Sequence, residues 1–146
     1  MKYVLDASVA VKWALTESDS AKAVALRDDF RKHVHEFLAP DIFLSEVPHA
    51  LTRAERKGIL NQGEAAGLVP DILSTPPDLH PSWPLLARAV EISSRMRIGF
   101  YDCLYVAPAE RESCALVTAD DRLVRNLQPT FPFIVLLASL PKACAR

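Results

Sequence analysis

The sequence predicts an α/β domain in which a mostly parallel five-stranded sheet lies between two layers of helices. Two observations support this class. The apolar run that starts at Tyr3 has the composition of a strand that is buried on both faces, and five predicted strands alternate with segments that have helical periodicity. Parallel strands need such crossover helices. With 146 residues, half of them hydrophobic, residues 1–146 are expected to form a single domain.

The amino-terminal half begins with a strand and contains most of the predicted helices. The apolar run that starts at Tyr3 is the first strand, and small polar residues before Ser20 are suitable helix caps. Gly58 provides a helix end, and Asn61 is a candidate cap for the next helix. In this half, strands are predicted at residues 3–6 and 37–39, and helices at residues 9–15, 20–33, 41–57 and 61–74.

The carboxyl-terminal half is marked by prolines. Several prolines between residues 75 and 84 leave room only for a very short strand near Leu79. Pro108 lies inside a predicted helix, where it removes the hydrogen bond to Leu104, so we expect a kink or an early end there. In this half, strands are predicted near residue 79 and at residues 115–118 and 133–137, and helices at residues 85–96, 101–112 and 122–127.

Composition limits the classes of function. The net charge of −1 and the pI near 6.4 argue against a protein that holds nucleic acid by overall positive charge. The cysteines Cys103, Cys114 and Cys144 are scattered, which predicts reduced thiols and neither a zinc cluster nor a disulfide framework. No signal peptide is recognisable, and the longest apolar run, residues 131–140, is too short to span a bilayer. We therefore expect a cytoplasmic protein that does not enter a membrane.

Four acidic residues lie beside the ends of apolar elements. Asp6 and Asp120 follow strands, whereas Glu46 and Asp102 lie in early helical turns. In a parallel sheet, strand ends and the following helix starts share one edge, so the four acids can converge. Clustered carboxylates repel, and a divalent cation that prefers oxygen ligands, Mg²⁺ or Mn²⁺, relieves that repulsion. The alternative for each aspartate alone is a helix cap, and for Glu46 a solvated helix position.

The segments that carry these acids resemble the four sequence blocks of PIN domains. They are similar above all to the small, single-domain bacterial toxins of the VapC type. The matching segments are VLDAS (residues 4–8), SEV (45–47), YDCLYVA (101–107) and LVTADDRL (116–123). They occur in the order and spacing of the family and cover nearly the whole chain.

The resemblance implies a three-layer PIN-like domain and an Mg²⁺- or Mn²⁺-dependent endoribonuclease. It implies RNA as substrate, a homodimer, and a cognate antitoxin as partner. The implied catalytic residues are Asp6, Glu46, Asp102 and Asp120. The three aspartates among them are the implied metal ligands, and Glu46 is either a further ligand or the residue that orients the attacking water. Ser8 and Thr118 stand where family members carry hydroxyls that support the metal site.

Two residues close in sequence to these acids have more than one possible role. His49 stands where family members often carry asparagine, three residues after Glu46 and on the same helix face. It is either a contact for phosphate or a solvated or packed histidine. Asp121 either assists the metal or caps the helix that begins at Arg122.

A basic row on the third predicted helix is the candidate RNA contact. His49, Arg53, Arg56 and Lys57 recur at intervals of a few residues, and such a row can follow a phosphate backbone. A solvated helix face is the alternative. Arg122 is a weaker candidate for the same role. The aromatic residues expected in the core or an interface, and not as platforms for bases, are Trp13, Trp83, Tyr101 and Tyr105.

Two other functions compete with the nuclease. A phosphatase with a strand-end aspartate would need a second aspartate at the position of Ser8, and no lysine lies near the later blocks. A catalytically idle PIN-like module would bind RNA or a protein partner without cleaving RNA. All four acids are present, which favours the nuclease. Cleavage by the nuclease should leave a 5′-phosphate and a 3′-hydroxyl.

Overall fold

One fully parallel sheet of five strands forms the centre of the molecule. The computed structural model describes residues 1–141. The strands are β1 (Lys2–Leu5), β2 (Glu36–Pro40), β3 (Asp78–His80), β4 (Ala115–Thr118) and β5 (Ile134–Leu136). Their order across the sheet is β3-β2-β1-β4-β5, and each neighbouring pair is parallel. The predicted α/β class and five-stranded sheet are confirmed.

Seven α-helices connect the strands within residues 1–141. They are α1 (Ala7–Ala10), α2 (Ser20–Arg31), α3 (Phe43–Arg56), α4 (Glu64–Leu73), α5 (Leu86–Met96), α6 (Phe100–Glu112) and α7 (Asp121–Leu127). The predicted helix at residues 9–15 is instead divided between α1 and a 3₁₀ turn, Val11–Trp13, whereas the other predicted helices agree with these bounds to within a few residues at each end. None of the described helices combines the length and apolar character that crossing a membrane requires.

The central strand β1 explains why helices cover both faces of the sheet. Val4 and Leu5 are both 0% exposed, although consecutive strand residues point to opposite faces. Around β1, helix α6 packs against β1, β2 and β4, α7 packs against β4 and β5, and α3 packs against α1 and α4. Because β1 is covered on both sides, its carboxyl end opens only at the sheet edge, where the acids lie.

Helix α6 does not end at Pro108. It continues to Glu112, so the predicted early end is wrong. The seven consecutive residues from Cys103 to Ala109 are all buried, Pro108 among them. Tertiary packing of this kind stabilises a helix more than intrinsic propensity does, which offsets the hydrogen bond that proline removes. Asp102 therefore stays in the first turn of an intact helix.

The start of α4 also differs from the prediction, because Asn61 is not its cap. Gly63 occupies the N-cap position with a left-handed backbone, φ 94°. The Oε1 atom of Glu55, on α3, accepts hydrogen bonds from the N–H groups of Gly63 and Ala65, each at 2.9 Å. A side chain from the preceding helix thus satisfies donors that Asn61 was expected to satisfy.

The cysteines in the described part of the chain are free thiols. Cys103 is buried and Cys114 is partly buried. Burial raises the pKa of Cys103 to about 11, and the charge of Asp102 adds to this shift. Cys144 lies outside the described residues, so its predicted reduced state stays a prediction.

Candidate active site

A cavity of about 430 Å³ lies at the carboxyl edge of the sheet and brings together all four predicted acids. Its acidic lining residues are Asp6, Glu17, Glu46, Asp102 and Asp120. The rest of the lining comes mainly from α1, the turn after it, and α3. Four carboxylates from four different segments therefore share one concave site, as the strand-edge argument predicted.

Asp6 is held at the end of β1 by hydroxyls and not by a helix. Its N–H donates to Val117 O at 3.1 Å, which continues the pairing of β1 with β4. Its Oδ2 accepts hydrogen bonds from Thr118 Oγ1 at 2.6 Å and Ser8 Oγ at 2.7 Å. Asp6 occupies the N-cap position of α1, but its side chain makes no capping hydrogen bond, so helix capping does not explain this carboxylate. Burial raises the pKa of Asp6, although both hydroxyls oppose this shift.

The same two hydroxyls connect Asp6 to the segment that carries Asp120. Ser8 Oγ accepts the N–H of Ala119 at 3.0 Å, and Thr118 Oγ1 accepts the N–H of Asp120 at 3.1 Å. Thr118 is 0% exposed, so its hydrogen bonds are shielded from water. The positions of β1 and of the end of β4 are thereby coupled directly at the cavity.

Asp120, and not Asp121, caps α7. Its Oδ1 accepts hydrogen bonds from the N–H groups of Arg122 at 2.9 Å and Leu123 at 3.3 Å. The interpretation of Asp121 as the cap is therefore wrong, because Asp121 is already the first residue of the helix. Asp121 is exposed and is not among the residues that line the cavity. Asp120 therefore caps α7 and also lines the cavity with the other acidic residues.

Glu46 and Asp102 reach the cavity from the first turns of α3 and α6. Burial raises the pKa of Glu46 to about 7, with the charges of Asp6 and Asp102 adding to the shift. Burial likewise raises the pKa of Asp102 to about 6, and the charges of Asp6 and Asp120 add to this shift. The positive charge of Arg122 opposes the shift. Burial is the larger cause of both shifts, and repulsion between the neighbouring carboxylates adds to it.

The donor set fits an oxygen-preferring divalent cation in an open site. Within residues 1–141, no group of three or more His, Cys, Asp or Glu side chains is arranged to hold a metal ion by protein ligands alone. Mg²⁺ does not need one, because it commonly takes one or two carboxylates and keeps several waters. The Oε1 atom of Glu46 is buried without a hydrogen-bond partner in the described residues, so this site has unused acceptor capacity.

The basic candidates differ in where they lie. His49 and Arg53 line the cavity, and so does Lys57. Arg56 does not line it, although the sequence placed it in the same row. Arg122 is exposed and outside the lining, yet its charge acts on Asp102.

Glu17 is the acidic lining residue that sequence reasoning missed. It lies in the loop after the 3₁₀ turn Val11–Trp13, and its carboxylate is 3.7 Å from Lys12 Nζ. Glu17 belongs to no periodic element and to none of the four blocks. Its loop reaches the cavity only through the tertiary fold, so no local signal could have identified it.

The fold and the site together define a class of protein: parallel α/β domains that carry a cluster of carboxylates at the carboxyl edge of the central strands. The family model for the PIN domain matches residues 3–126, and the chain belongs to the PIN domain family. The resemblance read from the four blocks is confirmed. Comparisons with individual proteins agree with this assignment.

Two similar proteins come from Mycobacterium tuberculosis. Ribonuclease VapC3 is 34% identical over 122 residues, which cover 84% of this chain and 85% of that protein. Ribonuclease VapC9 is 31% identical over 133 residues, which cover 91% of this chain and 97% of that protein. The likeness thus extends over most of both chains.

Two solved structures share the fold. PAE2754 from Pyrobaculum aerophilum has a TM-score of 0.70 at 22% identity, covering 95% of this chain and 85% of that chain. VapBC2 from Rickettsia felis, bound to a DNA fragment from the promoter of its genes, has a TM-score of 0.58 at 17% identity. That match covers 93% of this chain and 97% of the other. At these identities the comparisons establish the fold alone.

The raised pKa values predict how the stability of the metal-free protein depends on pH. A native carboxyl with a raised pKa binds its proton more tightly than in the unfolded chain, so it stabilises the fold at low pH. The contribution of Asp102 is lost as pH rises from its ordinary pKa of 3.8 through its native pKa of about 6. The contribution of Glu46 is lost as pH rises from its ordinary pKa of 4.5 through its native pKa of about 7. In EDTA, the melting temperature should fall between pH 5 and pH 8, as measured by calorimetry.

A Glu46→Gln/Asp102→Asn double variant is the control for this prediction, because it lacks both titrating groups and should show a flatter profile. Glu110 and Glu112 have lowered pKa values next to Arg88 and Lys2, so their contributions change only at lower pH. A wild-type melting temperature that rises over the same interval would contradict the prediction.

Proposed function

We propose that the protein is a metal-dependent endoribonuclease that hydrolyses RNA phosphodiester bonds, and that it is the toxin of a type II toxin–antitoxin pair. The observation that carries the proposal is the convergence of Asp6, Glu46, Asp102 and Asp120 in one cavity. Membership of the PIN domain family and the similarity to proteins named Ribonuclease VapC support it. No observation favours the phosphatase.

Asp6, Asp102 and Asp120 would hold Mg²⁺ or Mn²⁺ in this proposal, with Ser8 and Thr118 keeping Asp6 in place. Such an ion, when bound, lowers the pKa of water and stabilises negative charge on a leaving oxygen. The Oδ1 atom of Asp120 is already engaged in capping α7, which leaves Oδ2 as its free acceptor among the described residues. The capping hydrogen bonds therefore hold the Asp120 side chain in place while Oδ2 stays available to bind the ion.

Glu46 is the group suited to handling a proton. Its pKa of about 7 is matched to accepting a proton from water near neutral pH. It lines the cavity with the three aspartates, where it can orient water for in-line attack on phosphorus. Products with a 5′-phosphate and a 3′-hydroxyl follow from that direction of attack.

The basic row on α3 is the proposed path of the RNA. His49, Arg53 and Lys57 are exposed and line the cavity at intervals of four residues. The small residues Ala50 and Ala54 lie between them in the lining and leave space for a strand. At 1.5 Å per residue, the row extends about 12 Å along the helix from His49 to Lys57. Arg122 is the proposed phosphate contact next to Asp102.

An Arg53→Ala/Lys57→Ala variant tests this path. We expect KM for RNA to rise about tenfold with little change in kcat, because the contacts hold substrate and transition state alike. The slope of log affinity against log salt should fall by about 0.7 for each phosphate contact that is lost. The matched control is Arg56→Ala, which removes another exposed cation of α3, one that lies outside the cavity. Equal effects from both variants would refute a specific path.

The direct test of the function is incubation of the purified protein with pooled cellular RNA in EDTA, Mg²⁺ or Mn²⁺. We expect cleavage only with metal, and the ends of the fragments identify the direction of attack. Folded protein that binds RNA or a partner but fails to cleave, after removal of any co-purified antitoxin, would instead identify an idle binding module.

The partners belong to the same proposal. A cognate antitoxin is supported by the structural similarity to a protein described as VapBC2. A homodimer and a cytoplasmic location are carried over from the family resemblance and the reduced cysteines. Co-expression with the adjacent gene product, followed by light scattering of the complex and of the free chain, measures both the partner and the oligomeric state.

A further inference from the structure

Tyr105 places a hydroxyl next to the acidic site without lining the cavity. It follows Asp102 by three residues on α6, so both lie on one face of the helix. Its side chain is almost completely buried, at 1% exposure. Burial raises the pKa of the hydroxyl, and the charges of Asp6 and Glu46 add to this shift. Tyr105 therefore approaches the carboxylates from the protein side, where substrate does not reach.

Two buried polar side-chain atoms within residues 1–141 have no hydrogen-bond partner. They are the hydroxyl oxygen of Tyr105 and Oε1 of Glu46. The two groups are close enough for each to affect the pKa of the other, but they do not meet the geometric criteria for a hydrogen bond in the metal-free structure. Buried polar groups are nearly always hydrogen-bonded in native proteins. The Tyr105 hydroxyl can donate a hydrogen bond and Glu46 Oε1 can accept one, so the two groups are complementary.

The contrast with Asp6 shows what Glu46 lacks. Asp6 accepts hydrogen bonds from two hydroxyls that fix its carboxylate. Oε1 of Glu46 accepts none from the described residues, although Glu46 lines the same cavity. A carboxylate on a flexible glutamate side chain needs such an anchor to present one oxygen reproducibly.

We propose that Tyr105 is the positioning residue for Glu46. In the metal-loaded protein, its hydroxyl donates a hydrogen bond to Oε1 of Glu46 and so directs Oε2 into the cavity. This inference rests on the proposed nuclease function, in which Glu46 orients the attacking water. Burial raises the pKa of Tyr105, so the hydroxyl keeps its proton and remains a donor.

The kinetic test is Tyr105→Phe, which removes one oxygen and retains the ring. We expect kcat to fall about tenfold while KM changes less than about twofold, since substrate does not touch Tyr105. The melting temperature should not fall, because the lost hydroxyl has no partner in the metal-free protein. The matched control is Tyr3→Phe, a buried tyrosine whose hydroxyl contacts Met1 Sδ at 3.6 Å. It should keep the wild-type kcat.

A double-mutant cycle with Glu46→Gln shows whether Tyr105 acts through Glu46. If it does, adding Tyr105→Phe to Glu46→Gln should change kcat less than about twofold. A further tenfold loss in that background would overturn the proposal, because it would show an effect independent of Glu46. A kcat for Tyr105→Phe equal to wild type would overturn it as well.

Crystal structures of wild type and Tyr105→Phe with Mn²⁺ provide a readout that does not depend on activity. In wild type, the Tyr105 hydroxyl is expected about 2.7 Å from Oε1 of Glu46, with a single Glu46 rotamer. In the variant, Glu46 should occupy more than one rotamer. A wild-type separation beyond hydrogen-bonding distance would overturn the proposal. This result stands even if the protein cleaves no RNA, which separates failure of the inference from failure of the proposed function.

Discussion

Replacing Asp6 with asparagine is expected to lower metal-dependent RNA cleavage by about 10³-fold while the protein stays folded. Asparagine has nearly the shape of aspartate, so Ser8 and Thr118 can still hydrogen-bond to its side-chain oxygen. What is lost is the negative charge at the end of β1, at the centre of the acidic cavity. The initial rate of cleavage of a defined RNA, with Mg²⁺ or Mn²⁺ in excess, measures the effect.

The same substitution should change metal binding and stability in opposite directions. Burial raises the pKa of Asp6, so its charge destabilises the metal-free fold at neutral pH, and the variant in EDTA should melt at the same or a higher temperature. Mn²⁺ should raise the melting temperature of wild type more than that of the variant, because a ligand that binds only the native state stabilises it.

Asp41→Asn is the control for Asp6→Asn. Asp41 directly follows β2, as Asp6 follows β1, but it is exposed, pairs with Ser82 and does not line the cavity. It should keep cleavage within about threefold of wild type. Equal activity of Asp6→Asn and wild type would point to a contaminating nuclease or to a site that does not use Asp6.

Thr118→Val is expected to lower cleavage by about 10²-fold and the free energy of unfolding by about 2 kcal/mol. The hydroxyl of Thr118 donates to Asp6 Oδ2 and accepts the N–H of Asp120. Valine has the same shape, so the substitution removes both hydrogen bonds and leaves a buried carboxylate and a backbone N–H without this partner. The loss of activity follows because one hydroxyl positions two of the proposed ligands.

Thr118→Ser separates the hydroxyl from the methyl group. It should recover most of the cleavage activity, since the oxygen is retained, and it should lose only the packing of one methyl. Urea denaturation measures the stability of both variants, and the RNA assay measures their activity. Wild-type cleavage by Thr118→Val would show that the hydrogen bonds to Asp6 and Asp120 have no part in the reaction.

Local sequence was sufficient to predict the secondary-structure elements of the fold and the convergence of the four acidic residues. The run from Tyr3 to Leu5 predicts a buried strand because every residue in it is apolar, and its burial on both faces requires covering helices. Asp6 and Asp120 follow strands of one parallel sheet, so they must lie at one edge. These conclusions depend only on a few residues that are neighbours along the chain and on the rule that parallel strands end at the same edge of a sheet.

The errors came where a distant part of the chain changes a local preference. Pro108 ends an isolated helix, but burial of the surrounding residues keeps α6 intact. Asn61 is an ordinary cap, but Glu55 of α3 already satisfies the start of α4. Asp121 and Asp120 are both suitable caps by composition, and the backbone after β4 decided between them.

By itself, the sequence determined the class of fold, the order of its elements and the edge at which four carboxylates meet. Tertiary structure alone decided how each carboxylate is held and charged. The hydrogen bond between Thr118 and Asp6 joins residues 112 positions apart, and the raised pKa of Glu46 arises from burial and from charges on other segments. Hydrogen bonding and dielectric environment depend on which atoms surround a group in space. A sequence pattern specifies neighbours along the chain, and only the folded chain specifies the others.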